Sequence, residues 1–436
     1  MKVAVIGGGS TYTPELVDGI ARLAGDLAGG LAVTELTLAD PDPDRLAVVG
    51  PVSARIMRAL GHPGRVRWTT SLDEGLDGAG AVLLQLRVGG QAARHRDETW
   101  PLDYGCVGQE TTGAGGLAKA LRTVPVVLEI AERARRRAEP SAWIVDFTNP
   151  VGIVTRALLD AGHRAVGLCN VAIGFQRQFA GLLGVPPERV SLDHVGLNHL
   201  TWERAVVVDG TDRLPGLLAP GTDDGADAVV EEIAGRTGLP PAVLRQAGAV
   251  PSSYLRYFWA HDAVVEEERG QPTRAEQVAG LERELLAMYA DPALDHKPEL
   301  LGQRGGAYYS EAAVALLASL AGDRRDRQVV NVRNAGTLPF LPDDAVIEVP
   351  AVIGADGARP VPVSPVAPVM RGLIAHVSAY EELAVDAARR GGRDRVAMAL
   401  LAHPLVGQFD LAGRLADRLI AENAAYLPWA GAPGAR

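Results

Sequence analysis

A short β-branched run that meets a cluster of glycines and then a helix leaves a chain few folds to choose from, and this sequence opens on one. Lys2-Val3-Ala4-Val5-Ile6 runs into Gly7-Gly8-Gly9-Ser10, after which Leu16, Ile20 and Leu23 recur at helical spacing. Glycines in that position let the backbone approach a pyrophosphate, and the helix amino terminus offers unpaired N–H groups to its charge. Gly7 and Gly9 match the first two glycines of a dinucleotide fingerprint, and Ser10 and Thr11 follow in the same loop; Tyr12 stands where a third Gly or Ala would be. A second apolar run, Leu36-Thr37-Leu38-Ala39, ends at Asp40, the place for an acid that holds an adenine ribose diol and repels a 2′-phosphate. NAD, rather than NADP, is the expected cofactor.

The alternation continues. Ala81 to Leu86 reads as a third buried strand, and Trp143-Ile144-Val145 and Ala165-Val166-Gly167-Leu168 follow, which is the rhythm of a doubly wound parallel sheet. Residues 108 to 116 are too rich in glycine for a helix interior and too polar for a strand, so they read as a connector or as a loop lining the crevice at the strand ends. Past about residue 200 the pattern changes. Residues 209 to 226 read as a surface excursion, Thr273 and Glu276 have capping-box spacing before Val278, Leu281, Leu285 and Met288, and Ala312 to Leu320 is apolar nearly all round, for burial in the chain or in a subunit contact. Val329 to Val332 and Ala345 to Val349 read as strands, and residues 366 to 425 as mainly helical. A chain of 436 residues is too long for one ordinary core. The expected architecture is a Rossmann-like α/β domain over residues 1–195 and an interlocked mixed α+β domain for substrate and oligomerisation over residues 196–436.

Three polar clusters stand where apolar runs give out: Asp146-Phe147-Thr148-Asn149-Pro150, Gly167-Leu168-Cys169-Asn170 and His194-Val195-Gly196-Leu197-Asn198-His199. Taken singly, Cys169 reads as a small buried hydrophobe and His199 as a satisfied structural histidine. Together they make a thiolate and imidazole pair that leaves metal coordination positions open for substrate oxygens, with ligand softness favouring zinc or iron over manganese. Tyr254, in the aromatic segment Ser252 to Trp259, reads as core packing unless nearby cations and a metal-bound substrate favour its phenolate.

Composition excludes other classes. A formal net charge of −10 argues against nucleic acid, and the basic run Arg133 to Arg137 suits the carboxyl end of a helix. Two cysteines make no disulfide framework, no apolar run reaches the roughly 18 residues of a membrane span, and nothing like a signal peptide precedes Lys2. The expected location is the cytoplasm.

Six motifs in order then resemble one family. Val5 to Leu16, Gly108-Gln109-Glu110-Thr111-Thr112-Gly113, Phe147-Thr148-Asn149-Pro150, Gly167-Leu168-Cys169-Asn170-Val171, Gly196-Leu197-Asn198-His199 and Tyr254-Leu255-Arg256-Tyr257 are similar to glycoside hydrolase family 4, and within it to the 6-phospho-β-glucosidases. The resemblance implies a second domain like the carboxyl-terminal domain of lactate and malate dehydrogenases, a homodimer or homotetramer, and a phosphorylated glycoside as substrate. It also implies NAD and a divalent metal, manganese in most members, in place of the usual pair of carboxylates. The sugar C3 hydroxyl is oxidised, which acidifies the C2 proton; the aglycone leaves C1 by elimination, water adds, and the hydride returns. Carried onto this chain, Cys169 and His199 match the metal ligands, Tyr254 the base, and Glu110 the acid that raises its basicity. Arg94, Asn149 and Arg274 match substrate contacts, with Asn149 also beside the cofactor and Arg274 suited to a 6-phosphate. Asn170 stands where the α-specific enzymes carry an Asp for the leaving group, which points to β-glycosides. Ala172 replaces the proline usual in the β-type pattern.

Two other classes share part of this pattern. A hydroxy-acid dehydrogenase would have the same fold logic but needs an Arg and His-Asp constellation that the sequence does not place. A non-catalytic NAD-binding sensor would leave Cys169 and Tyr254 as core residues.

Overall fold

The computed structural model describes residues 1–23, 31–220 and 224–431. Its strands in chain order are β1 (Lys2–Ile6), β2 (Glu35–Ala39), β3 (Arg65–Thr69), β4 (Ala81–Leu84), β5 (Trp143–Asp146), β6 (Ala165–Gly167), β7 (Val190–Leu197), β8 (Leu200–Val208), β9 (Thr211–Asp212), β10 (Val250–Pro251), β11 (Asp326–Arg333), β12 (Val346–Gly354) and β13 (Gly357–Pro360). Among the described residues they form one sheet in the order β10-β8-β7-β12-β11-β6-β5-β4-β1-β2-β3, with β9 on β8 and β13 on β12. Pairing from β1 to β6 is parallel, in the 3-2-1-4-5-6 order of dinucleotide-binding doubly wound sheets. Beyond β6 it is antiparallel throughout.

β1, β2 and β4 are apolar almost without interruption because helices cover both their faces. β3 breaks that rule. Its Arg65, Arg67 and Trp68 are exposed, charges that blunt an edge strand against further pairing. The run at Ala81 is therefore the fourth strand of the chain, and not the third.

The glycine-rich segment also differs from expectation. Gly113 to Gly116 open the helix Gly113–Arg137. A Cβ at Gly115 would stand 2.4 Å from the carbonyl oxygens of Asp97 and Gln109, so glycine is retained there for close approach. The expected basic run does end this helix.

In the second half, the excursion after residue 208 contains helix Leu214–Leu218 and the start of helix Asp224–Thr237, while residues 221–223 lie outside the described part. The capping box of Thr273 and Glu276 forms, but helix Arg274–Tyr289 buries Ala275, Val278, Glu282, Leu285 and Tyr289, leaving Met288 exposed. A carboxylate thus sits in the inward stripe. Helix Tyr309–Gly322 packs against helix Thr13–Leu23 and β12, so its apolar surface is largely covered within the chain. Helices Pro368–Arg390, Arg393–Leu401 and Phe409–Asn423 lie over helix Gly113–Arg137. No helix among the described residues is long and apolar enough to cross a membrane.

Candidate active site

A cavity of about 920 Å³ opens where the parallel strands end, lined by Ile6, Ala39, Gln85 and Phe147 from or just beyond β1, β2, β4 and β5. It extends from Gly7, Gly9, Ser10 and Asp40 at one end to Asn149, Asn170, His199, Tyr254, Arg94 and Arg274 at the other. Of the expected site residues, Thr11, Glu110 and Cys169 are buried and do not line it.

At the glycine end, Gly7 has φ +87°, and a Cβ there would stand 2.8 Å from the Gln85 carbonyl oxygen. The Gly7 and Gly8 N–H groups donate to the Ala39 carbonyl, tying the loop to β2. Asp40 accepts from the N–H of Gly9 at 2.9 Å and of Asp42 at 3.0 Å, so it shapes the loop as well as facing the cavity. Tyr12, in the third glycine's place, is buried and donates its hydroxyl to the Gly306 carbonyl at 2.7 Å. Three amide oxygens on the cavity wall, those of Gln85, Gln91 and Asn149, are buried without a partner. Open backbone, an acid at the second strand tip and orphaned acceptors fit a dinucleotide.

At the other end Cys169 follows β6 and is buried, with the Val171 N–H and the side chains of Tyr309 and Asn198 near its sulfur. Burial and the nearby Glu348 charge push its thiol pKa well up. His199 turns the corner between β7 and β8 at φ +61°; its Nδ1 pairs with the Thr111 hydroxyl at 3.0 Å, and the residue lines the cavity. Burial lowers its pKa to about 4, so the ring is neutral and able to ligate a cation. Among the described residues no group of three Cys, His, Asp or Glu side chains gathers around a common ion site. A thiol and one imidazole form an open pair that fits a divalent ion only if bound substrate completes it. The apolar run expected before His194 proves to be β7 itself, which carries His194 to Leu197, with Asn198 and His199 as the turn.

Tyr254 stacks on His199, ring centroids 3.7 Å apart and planes 7° from parallel. Burial, then charge on Cys169, pushes its hydroxyl pKa well up, opposed by Arg94. Glu110 is not hydrogen-bonded to Tyr254 and instead receives Arg87, Lys119 at 2.6 Å and Arg94 at 3.2 Å. Burial works against its charge, but these three cations outweigh burial and hold the carboxyl well below the usual range. Lys119, buried beside Arg87, is itself lowered to about 7. Arg274 starts its helix on the cavity rim and donates to the Gln303 and Arg304 carbonyls. Asn170 donates to the Ala307 carbonyl at 3.0 Å.

Several functional neighbours escape the sequence reading: Arg87, Lys119, Glu282, Arg304 and Tyr309 line the cavity. Arg304 donates to Thr11 at 2.7 Å and pairs with Glu282 at 3.2 Å, and Glu282 also holds Arg45, so Thr11 is fastened from the far half of the chain. The available signal was a charge in an apolar stripe, as Glu282 is in its helix.

A doubly wound sheet with such a crevice at its carboxyl edge defines a dinucleotide-binding α/β protein. The fold alone is shared with malate dehydrogenase from Salinibacter ruber, at TM-score 0.53 and 17% identity over 89% of this chain and 98% of that one. Much greater similarity is found elsewhere. The family 4 glycosyl hydrolase model matches residues 2–185, and the family 4 glycosyl hydrolase C-terminal domain matches residues 194–406. The "Probable 6-phospho-beta-glucosidase" of Bacillus subtilis is 38% identical over 98% of this chain and 97% of its own, and the 6-phospho-beta-glucosidase of Escherichia coli is 34% identical over 98% and 96%. The 6-phospho-beta glucosidase of Thermotoga maritima, solved with manganese, NAD+ and glucose-6-phosphate, superposes at TM-score 0.87 with 31% identity over 98% of this chain and 99% of that one. This chain belongs to the family 4 glycosyl hydrolases.

Proposed function

We propose that the chain hydrolyses 6-phospho-β-glucosides to glucose 6-phosphate and an aglycone, through oxidation at C3, elimination across C2 and C1, water addition and reduction. The observation that carries this reading is the meeting, in one cavity, of the Gly7 to Asp40 dinucleotide end with Tyr254 stacked on His199 beside the buried Cys169. The names and ligands of the similar enzymes support it.

When bound, NAD supplies a hydride acceptor that is restored in each turnover, and a divalent ion, manganese by likeness to the Thermotoga maritima enzyme, supplies a Lewis acid for adjacent sugar oxygens. Gly7, Gly9, Ser10 and Thr11 hold the pyrophosphate, Asp40 the adenine ribose, and Asn149 offers its orphaned oxygen near the reacting sugar and cofactor. Cys169 and His199 hold the ion. Tyr254 takes the C2 proton, and Glu110, fixed by its three cations, places negative charge near that phenol and so strengthens it as a base. Arg94 and Arg274 face the sugar phosphate as fixed cations. Asn170 cannot donate a proton as a carboxylic acid can, which suits a leaving group that departs without an acid at this position. Ala172 lies in the first turn of helix Val171–Leu183, a place a proline would also accept, so the exchange leaves the helix start intact. Residues 1–195 serve as the cofactor domain and 196–436 as the substrate and oligomerisation domain of a cytoplasmic homodimer or homotetramer.

The test is release of the chromophore from a nitrophenyl 6-phospho-β-glucoside with NAD and manganese, before and after chelation. Release should vanish on removing either and return on adding both. Release that continues without them, or equal release from the α-linked or unphosphorylated glycoside, would overturn the assignment.

A further inference from the structure

The floor of the site holds a charge cluster with no part in the reaction above. One row of residues crosses the sheet there: Gly167 of β6 stands opposite Asn331 of β11, Asn331 opposite Glu348 of β12, and Glu348 opposite Gly196 of β7. Cys169 lies just past one end of this row and His199 just past the other. Both ends require glycine, since a Cβ at Gly167 would stand 2.7 Å from Asn331 Cβ, and one at Gly196 would stand 2.0 Å from the Leu200 carbonyl oxygen.

Glu348 is buried, in the middle of the apolar run Ile347-Glu348-Val349. Its Oε1 lies 3.1 Å from His194 Nε2, and its Oε2 accepts from Asn198 at 3.0 Å and Asn331 at 2.9 Å. His194 Nδ1 meets Glu203 Oε1 at 2.6 Å, and the two residues are cross-strand partners in the β7–β8 hairpin. Both ring nitrogens face carboxylates, so both carry protons. Burial opposes that charge, but Glu203 and Glu348 prevail and push the pKa up to about 10. Asn198 is the residue before His199, in the turn between β7 and β8.

Stability does not account for this arrangement, because well-packed apolar residues commonly serve as well as a buried charge cluster. Position does. Glu348 accepts from the Asn198 amide, in the turn that carries His199, and from Asn331, which pairs with Gly167 of the strand leading to Cys169, so it ties the two corners together. Partners that orient and bias metal ligands from behind typically matter nearly as much as the ligands.

We propose that Glu348 is a positioning residue for the metal ion: held by His194 and Asn331, it fixes Asn198 in the turn that presents His199 and keeps that turn in register with the strand leading to Cys169. The inference rests on the reading of Cys169 and His199 as the ligands.

The experiment uses the full chain and titrates manganese by equilibrium dialysis and cobalt(II) by its thiolate charge-transfer absorption, with NAD binding as the check of folding. Glu348→Gln should weaken both metals about 10- to 100-fold while keeping the thiolate band at saturation and NAD affinity unchanged. Asn198→Ala should weaken them about tenfold. Cys169→Ser should abolish the band. Loss of the band in Cys169→Ser with wild-type affinity in Glu348→Gln and Asn198→Ala overturns the role of Glu348 while sparing the ligand reading. Wild-type manganese affinity in Cys169→Ser overturns both. Should Glu348→Gln fail to fold, Asn198→Ala decides alone, a tenfold loss supporting the inference and unchanged affinity overturning it.

Discussion

The two corners that meet at the reaction centre are built on opposite plans. Cys169 stands at the end of β6, the last parallel strand, where side chains reach a crevice because helices close both faces of the sheet. His199 stands on a hairpin turn in the antiparallel half, held in a left-handed conformation and fastened to Thr111 of the first half. The parallel corner is a generic consequence of the fold. The antiparallel corner must be specified side chain by side chain, and its buried charges His194, Glu203 and Glu348 are the specification.

If these corners form one reaction centre, damage to either should stop turnover and leave the distant cofactor end able to bind. Cys169→Ser should have the largest effect, a loss in kcat of about 10³-fold, since a Lewis-acid ion contributes several kcal/mol, with NAD affinity unchanged by titration. Tyr254→Phe should follow at roughly 10²-fold in kcat, with metal and NAD binding retained in direct titrations. Retained turnover in either variant would separate the corners.

The cofactor end should answer differently. Asp40→Ser should shift the ratio of kcat/KM for NAD over NADP by about tenfold, leaving cobalt binding intact. Glu110 lies between the two, and its effect should show in pH. Its folded pKa is depressed, so its contribution to stability is present above about 4.5, the ordinary value, and is lost as pH falls below it. The unfolding midpoint of the wild type should therefore fall more steeply between pH 6 and pH 3 than that of Glu110→Gln. The smallest effect belongs to Met288, which shares helical spacing with buried residues yet is exposed; Met288→Lys should change stability by no more than about 0.5 kcal/mol in denaturant titration.

The same contrast explains what the sequence discloses. β1, β2 and β4 to β6 are legible because burial on both faces makes them apolar runs ending in polar clusters, and the clusters do converge on the cavity. β3 is not legible, because an exposed edge replaces the apolar signal with Arg65 and Arg67. Placing Cys169, His199 and Tyr254 together took a resemblance to a family, since no local period joins residue 169 to residue 254. The floor beneath them is hidden for another reason: Glu203 and Glu348 interrupt apolar strands, and only the cross-strand register of β7, β8, β11 and β12 shows that they face one another through His194. A lone carboxylate in an apolar β run was the one clue to look for partners.

The most direct measurement is turnover of a nitrophenyl 6-phospho-β-glucoside in D₂O with NAD and manganese, followed by NMR of the glucose 6-phosphate formed. Proton abstraction by Tyr254 predicts deuterium at C2 of the product, formed at a rate that Tyr254→Phe lowers by roughly 10²-fold. Product formed at full rate with its C2 hydrogen retained would contradict elimination and point to direct displacement at C1.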